Sequence, residues 1–338
     1  MNSIPGHHDP RQQTFLLVKD LAPQACLLRT LGIQTPNPID PIFTTFTDGL
    51  VSIIQRGLPQ VKVHVIDMTD LTDRILAEGM RQASRLRTPV IVSTCPEIAT
   101  RGKGISLEVC RIINTAGEII GWGPRPGHPP IREQMESIKT LTRDGKNIVL
   151  VEDGAFTGGT LKHLLNEAAL VGITISAIIL GFIFPPAQQA LQESYSGELI
   201  VTEVLPSNLL DWIPERDFVP LIPGSGRIVG SPFYGKHALP LYDHRGWSYT
   251  VPYLQRWCNT REWTGLDEDT AHSVTRHALE QATRLFDMIV KLNHKQLRLS
   301  DIISARLNVS APIACDATLL PFDDFILRHL SQMAARVY

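Results

Sequence analysis

Ile148-Val149-Leu150-Val151-Glu152-Asp153-Gly154-Ala155-Phe156-Thr157-Gly158-Gly159-Thr160 is the stretch around which the rest of the chain is organised. Four apolar residues in a row read as a short strand buried on both faces, and the strand ends on two adjacent acids. Three residues later Thr157-Gly158-Gly159-Thr160 opens a helix expected over 160–170. Glycines let successive backbone N–H groups surround phosphate oxygens, and a helix N-terminus adds unpaired donors and a favourable dipole. Thr157 and Thr160 offer hydroxyls to the same phosphate, and carboxylates at a strand end can hold vicinal sugar hydroxyls. The set suits a ribose bearing a 5-phosphate. No lysine precedes Thr160 and no GxGxxG is present, which sets aside the P-loop and the dinucleotide fingerprint. The bland alternative is a generic strand–glycine–helix turn, and the acid pair counts against it.

Outward from this unit, similar strands recur: Lys62–Ile66, 89–93 (PVIVS), 118–122 (EIIGW) and 175–184 (ISAIILGFIF). Between them helices are expected over about 71–86, with Leu71, Ile75, Met80 and Ala83 on one side, and over about 106–114. Short, continuously apolar strands alternating with helices imply a parallel sheet covered on both faces. Ligands bind such sheets at the carboxyl ends of the strands, so chemistry is expected in the loops after residues 93, 122 and 152. Segment 14–58 contains helical fragments broken by prolines and reads as a cap. Past Pro186 the pattern changes: short strands and turns over 198–235, an aromatic-rich stretch over 237–263, one amphipathic helix over 268–294 with Ala271, Val274, Ala278, Leu285, Ile289 and Leu292 inward, and a last helix over about 323–336.

With 338 residues, 43% hydrophobic and 20% charged, the chain has the composition of a folded protein, and its length allows one large domain with additions or two domains. A net charge of −2 gives no basic field for nucleic acid or anionic lipid, so any anion site is local. The five cysteines form no CxxC pair, which gives neither a zinc cluster nor a disulfide framework and fits a reducing cytosol. The first residues lack the basic start and apolar run of a signal peptide, and the apolar run at 172–185 is too short and too interrupted to span a bilayer.

The unit at 148–160 resembles the signature of the type I phosphoribosyltransferases: four apolar residues, two acids, three small or apolar residues, then Thr-Gly-x-Thr. The resemblance covers roughly residues 60–235. Gly154 and Phe156 are less typical occupants of the pattern. The resemblance implies an α/β fold with a parallel-sheet, Rossmann-like phosphoribosyltransferase core, a hood, and a mainly helical C-terminal extension. The corresponding divisions are a cap at 1–60, the core at 61–235 and the extension at 236–338. It implies transfer of ribose 5-phosphate from phosphoribosyl pyrophosphate to a nitrogenous acceptor, with release of pyrophosphate. Glu152 and Asp153 would position the ribose, and Gly154, Ala155, Phe156, Thr157, Gly158, Gly159 and Thr160 would cradle the 5-phosphate. Arg101, Gly102, Lys103 and Gly104, in the loop after the first core strand, would take the pyrophosphate. A mobile flap at 123–132 would bring Arg125, His128 and Arg132 over it. Mg²⁺ would be held by substrate oxygens, with little protein ligation. Phe218 and Trp212 read first as core aromatics, the alternative being that one of them stacks on the acceptor while Asp217 accepts from its ring N–H. A cytoplasmic homodimer without nucleic-acid or membrane partners is the expected setting. A regulatory or non-catalytic protein that binds the same ligand is the alternative.

Overall fold

The computed structural model describes residues 13–87, 90–113, 118–125, 128–142, 147–203, 205, 208–222, 227–229, 241–242, 248–249, 252–255, 257–258, 260–302 and 323–338. Two parallel sheets organise the chain. The smaller consists of β1 (Gln13–Lys19), β2 (Val61–Asp67) and β10 (Leu209–Pro214), in the order β10-β1-β2. The larger has β3 (Ile91–Ser93), β4 (Ile105–Ser106), β7 (Asn147–Ala155), β8 (Thr174–Ile183) and β9 (Glu198–Val201), in the order β4-β3-β7-β8-β9. A third sheet is built on a hairpin, β5 (Val109–Ile113) antiparallel to β6 (Ile119–Pro124), with β11 (Ile228–Val229) beside β5.

The apolar runs are continuous because both faces of their strands are buried. In β7, Ile148 and Leu150 face one core while Val149 and Val151 face another. The first core is closed by α5 (Ile131–Leu141), α6 (Gly159–Val171) and α7 (Pro185–Ser194). The second is closed by α3 (Met68–Arg85) and α4 (Pro96–Gly102). In β1, Leu16 and Val18 join the second core, whereas Phe15 and Leu17 turn to a third. That third core lies under α1 (Leu21–Cys26), α2 (Pro41–Gly57), α8 (Thr260–Thr264), α9 (Glu268–Asn293) and α10 (Ile326–Ala334). All four of these β1 side chains are fully buried, each stabilising the fold by about 1.5–3 kcal/mol. The long helices start on side-chain caps: Asp40, Asp67 and Asp267 accept from the backbone N–H of Ile42, Thr69 and Thr270.

Several expectations are corrected. Segment 14–58 is no helical cap: it provides the middle strand of a sheet as well as α1 and α2. The span expected to be a helix at 106–114 instead holds the end of β4 and all of β5, because three of the five residues Val109–Ile113 are β-branched and the segment finds an antiparallel partner in β6. EIIGW belongs to that hairpin and not to the parallel sheet, and Ile119 and Ile120 are exposed. Met80 is 63% exposed; nine residues past Leu71, it lies half a turn round the helix from it. Leu292, in the last turn of α9, is also exposed. The segments expected at 1–60, 61–235 and 236–338 interleave, since β1 pairs with β2 and β10, and α2 packs on α9. Residues 223–226, Trp247 and residues 1–12 lie outside the described residues. Among the described residues, no helix is long and apolar enough to cross a membrane.

Candidate active site

Glu152 and Asp153 stand near the carboxyl end of β7, and both are buried. Their surroundings set them apart. The hydroxyl of Thr94 and the thiol of Cys95, at the end of β3, donate to the two carboxylate oxygens of Glu152, the thiol at 2.8 Å. Burial, then the Asp153 charge, pushes the Glu152 carboxyl well above its ordinary range. Burial likewise pushes up the Cys95 thiol, which keeps it protonated and unreactive. Asp153 accepts from the N–H of Gly154 at 2.7 Å and from the guanidinium of Arg216 at 3.4 Å.

Arg216 had no place in the sequence reading. It lies in the 3-10 turn Glu215–Phe218 that follows β10. Besides Asp153, its guanidinium meets Asp20 at 2.7 Å and Glu97 at 3.1 Å, and its backbone N–H donates to Asp20 at 2.9 Å. Asp20 follows β1 and Glu97 is in the first turn of α4, so the carboxyl ends of both parallel sheets meet on one cation. Burial raises Asp20 to about 8 despite that arginine, raises Glu97, and raises Glu215 to about 8.

Each loop residue expected in the site has a definite place. A Cβ on Gly154 would run into the ring of Phe182, so close strand packing accounts for that glycine. Ala155 is buried in the core beneath α6, and Phe156 is 39% exposed with its edge against Phe184 at 4.6 Å. Thr157 is exposed, and Gly158 is the N-cap of α6 at φ 75°. The first-turn N–H groups of α6 have no intrahelical acceptor. The Thr160 hydroxyl accepts from the indole N–H of Trp122 at 3.0 Å, and that indole stacks on His163 at 5.3 Å. The β5–β6 hairpin thus rests on the start of α6. Gly159 lies beneath it: a Cβ there would meet the Trp122 ring at 2.8 Å.

The expected pyrophosphate loop at 95–104 is largely the helix α4, because Pro96 fits a first helical turn. Arg101 donates to Asp73 of α3 at 2.7 Å. Gly102 and Gly104 answer to packing, since a Cβ would press on Leu76 and on the Ile91 carbonyl, and Lys103 closes α4 in the left-handed region at φ 52°. Regular structure enters the expected flap from both ends, since β6 runs to Pro124 and α5 starts at Ile131; Pro126 and Gly127 lie outside the described residues. Arg125 meets Glu108 at 3.2 Å and the Thr94 carbonyl at 3.4 Å, which brings it to the end of β3. Arg132 pairs with Glu167 of α6. Phe218 is fully buried in the core, and Trp212 is half-buried, packed on Phe182 at 4.7 Å. Asp217 is buried and its carbonyl accepts from the N–H of Tyr253.

Cys95, Glu152 and Asp153 bring ligand atoms within 4.8 Å of one another. They do not fit Mg²⁺. That ion requires hard oxygen donors, whereas one member is a protonated thiol and an Asp153 oxygen already faces Arg216. A cavity of about 380 Å³ lies between α9 and α10, lined by Arg276, Arg284 and Tyr338 among others, and it includes none of the acid-centre residues.

No family model matches the chain, and no curated protein matches it. Among solved structures it is similar to TT1426 from Thermus thermophilus, over 41% of this chain and 88% of that one, at 16% identity with a TM-score of 0.26. At that score neither fold nor function is carried over.

Proposed function

We propose that the chain is a phosphoribosyltransferase, in which β7, the loop 154–158 and the start of α6 hold the ribose 5-phosphate of phosphoribosyl pyrophosphate. One observation carries this reading: paired acids at the carboxyl end of a parallel strand lead directly into a glycine turn and a helix N-terminus. Phosphate is drawn to the free first-turn N–H groups, and the ribose hydroxyls to the adjacent carboxylate. A nitrogen nucleophile then bonds to C1 while the C1–O bond to pyrophosphate breaks, its electron pair leaving with the diphosphate. The Asp153 carboxylate stabilises the positive charge that develops on the ribose ring. Arg125, beside the Thr94 carbonyl, is the flap residue best placed for the departing anion. The Glu152 carboxyl braces the end of β3 through Thr94 and Cys95.

A second reading, a non-catalytic protein that binds the same ligand, is favoured by one feature: both acids are already satisfied within the protein. Thermal unfolding tests the shared claim. Phosphoribosyl pyrophosphate at about a hundred times its Kd stabilises the native state by about 2.7 kcal/mol, which raises Tm, and ribose 5-phosphate does so more weakly. No shift with either ligand at millimolar concentration overturns both readings. Pyrophosphate release in the presence of nitrogenous acceptors, lost in Asp153→Asn by roughly 10²-fold, separates enzyme from binding protein.

A further inference from the structure

Arg216 is the cation on which the two parallel sheets converge. Its partners lie 196, 119 and 63 residues away in sequence, and its side chain is 11% exposed. The three contacts are unequal. Asp20 holds it twice, through the guanidinium and the backbone N–H; Glu97 holds it at 3.1 Å; Asp153 holds it at 3.4 Å, the longest of the set. The fork is therefore anchored on β1 and α4 and only rests against β7. A ligand hydroxyl can replace it at Asp153 while the anchors keep the guanidinium in place.

We propose that Arg216 is a positioning residue of the ribose site, anchored by Asp20 and Glu97, that holds the Asp153 side chain aimed into the site until the ribose hydroxyls take its place. This inference rests on the ribose-binding reading. The groups facing Arg216 are the acids Asp20, Glu97, Glu152, Asp153 and Asp217, the Cys95 thiol and the Arg111 guanidinium. Glu215 adds a further buried acid beside Asp20. Such a surplus of acids holds protons more tightly once the cation is removed. Ribose 5-phosphate binding then requires a higher pH, whereas a purely structural loss weakens binding equally at every pH.

Calorimetry with ribose 5-phosphate over about pH 5–9, the span in which buried carboxyls titrate, compares the wild type with Arg216→Gln and Arg216→Lys; the ligand's own titration is common to all three. In Arg216→Gln the midpoint of the binding profile moves up by about one pH unit or more, with about a tenfold loss of affinity near neutrality and recovery at alkaline pH. Arg216→Lys keeps the midpoint but binds several-fold more weakly, because a point charge cannot span three carboxylates. A Gln profile that is lowered without moving, or a Lys variant with wild-type affinity, overturns the inference. If Arg216→Gln fails to fold, the Lys result alone decides. A wild type that does not bind ribose 5-phosphate overturns the ribose reading and this inference with it, whereas a binding wild type with unmoved variants removes this inference alone.

Discussion

Gly158 and Gly159 are neighbours in the same turn, yet an added methyl meets different surroundings at each. At Gly158 the backbone has φ 75°, where an L-residue is strained by about 1–2 kcal/mol. The methyl itself has room: it would touch Ala187 and Ala190 of α7 at 3.4–3.5 Å, which is ordinary contact. Alanine also restricts the unfolded chain, offsetting about 0.4–1 kcal/mol, so Gly158→Ala should destabilise by about 1 kcal/mol. Since the methyl points at α7, ribose 5-phosphate affinity should fall no more than a few-fold. At Gly159 the strain is absent but the methyl would lie 2.8 Å from the Trp122 ring. Overpacking of that kind costs about 1–3 kcal/mol and displaces the indole from Thr160. Urea unfolding of both variants, alone and combined with Trp122→Ala, forms two double-mutant cycles. The Gly159 cycle should show a coupling of about 1 kcal/mol or more, and the Gly158 cycle none. If Gly158→Ala couples to Trp122, or abolishes phosphate binding without destabilising the fold, the conformation assigned to this turn is wrong.

Helix α2 crosses α9 at two glycines, and a Cβ on Gly49 would enter the His277 ring. Gly49→Ala should therefore lower stability by about 1–3 kcal/mol in chemical denaturation, although alanine favours a helix by about 1 kcal/mol; a stabilised variant would show that the helices are not so close. The acid centre has a pH signature. Glu215 is raised from 4.5 to about 8 by burial, so the folded state holds a proton that the unfolded state has released between those values, and stability falls as pH rises across that window. Glu215→Gln should remove part of the fall, by at most about 5 kcal/mol at 1.36 kcal/mol per pH unit. Unfolding at either end of the window measures it, and an unchanged slope would mean that Glu215 reaches water.

Where burial alone dictated the residues, the fold was readable in advance. Strand β7 announces itself by the unbroken apolar run 148–151 and β8 by a mostly apolar one, and α9 carries its inward face at helical spacing. The strand β1 is just as apolar at Phe15–Val18, but the prolines downstream suggested a cap of helical fragments and obscured it. Residues 106–114 misled because a short stretch with spaced apolar residues suits either period, and only the partner strand β6 selects the extended one. At the site, the glycine turn was visible because its chemistry is local. Arg216 was not, since each of its partners is brought in by tertiary folding. Arg101 and Lys103 drew attention as basic residues beside glycines, yet those glycines are explained by Leu76 and Ile91.

The meeting of two sheets on one arginine also sets an order of assembly. During synthesis Asp20 leaves the ribosome 196 residues before Arg216, about 10–40 s at 5–20 residues per second. Once residues 61–67 have emerged β1 has β2 for a partner, but until β10 follows its other edge is bare and the acids of the centre have no common counterion. Pairing at such sequence separation is slow to form, so closure of β10 onto β1 is expected among the last events of folding. The nascent chain would carry its glycine turn before the acids of the centre meet Arg216.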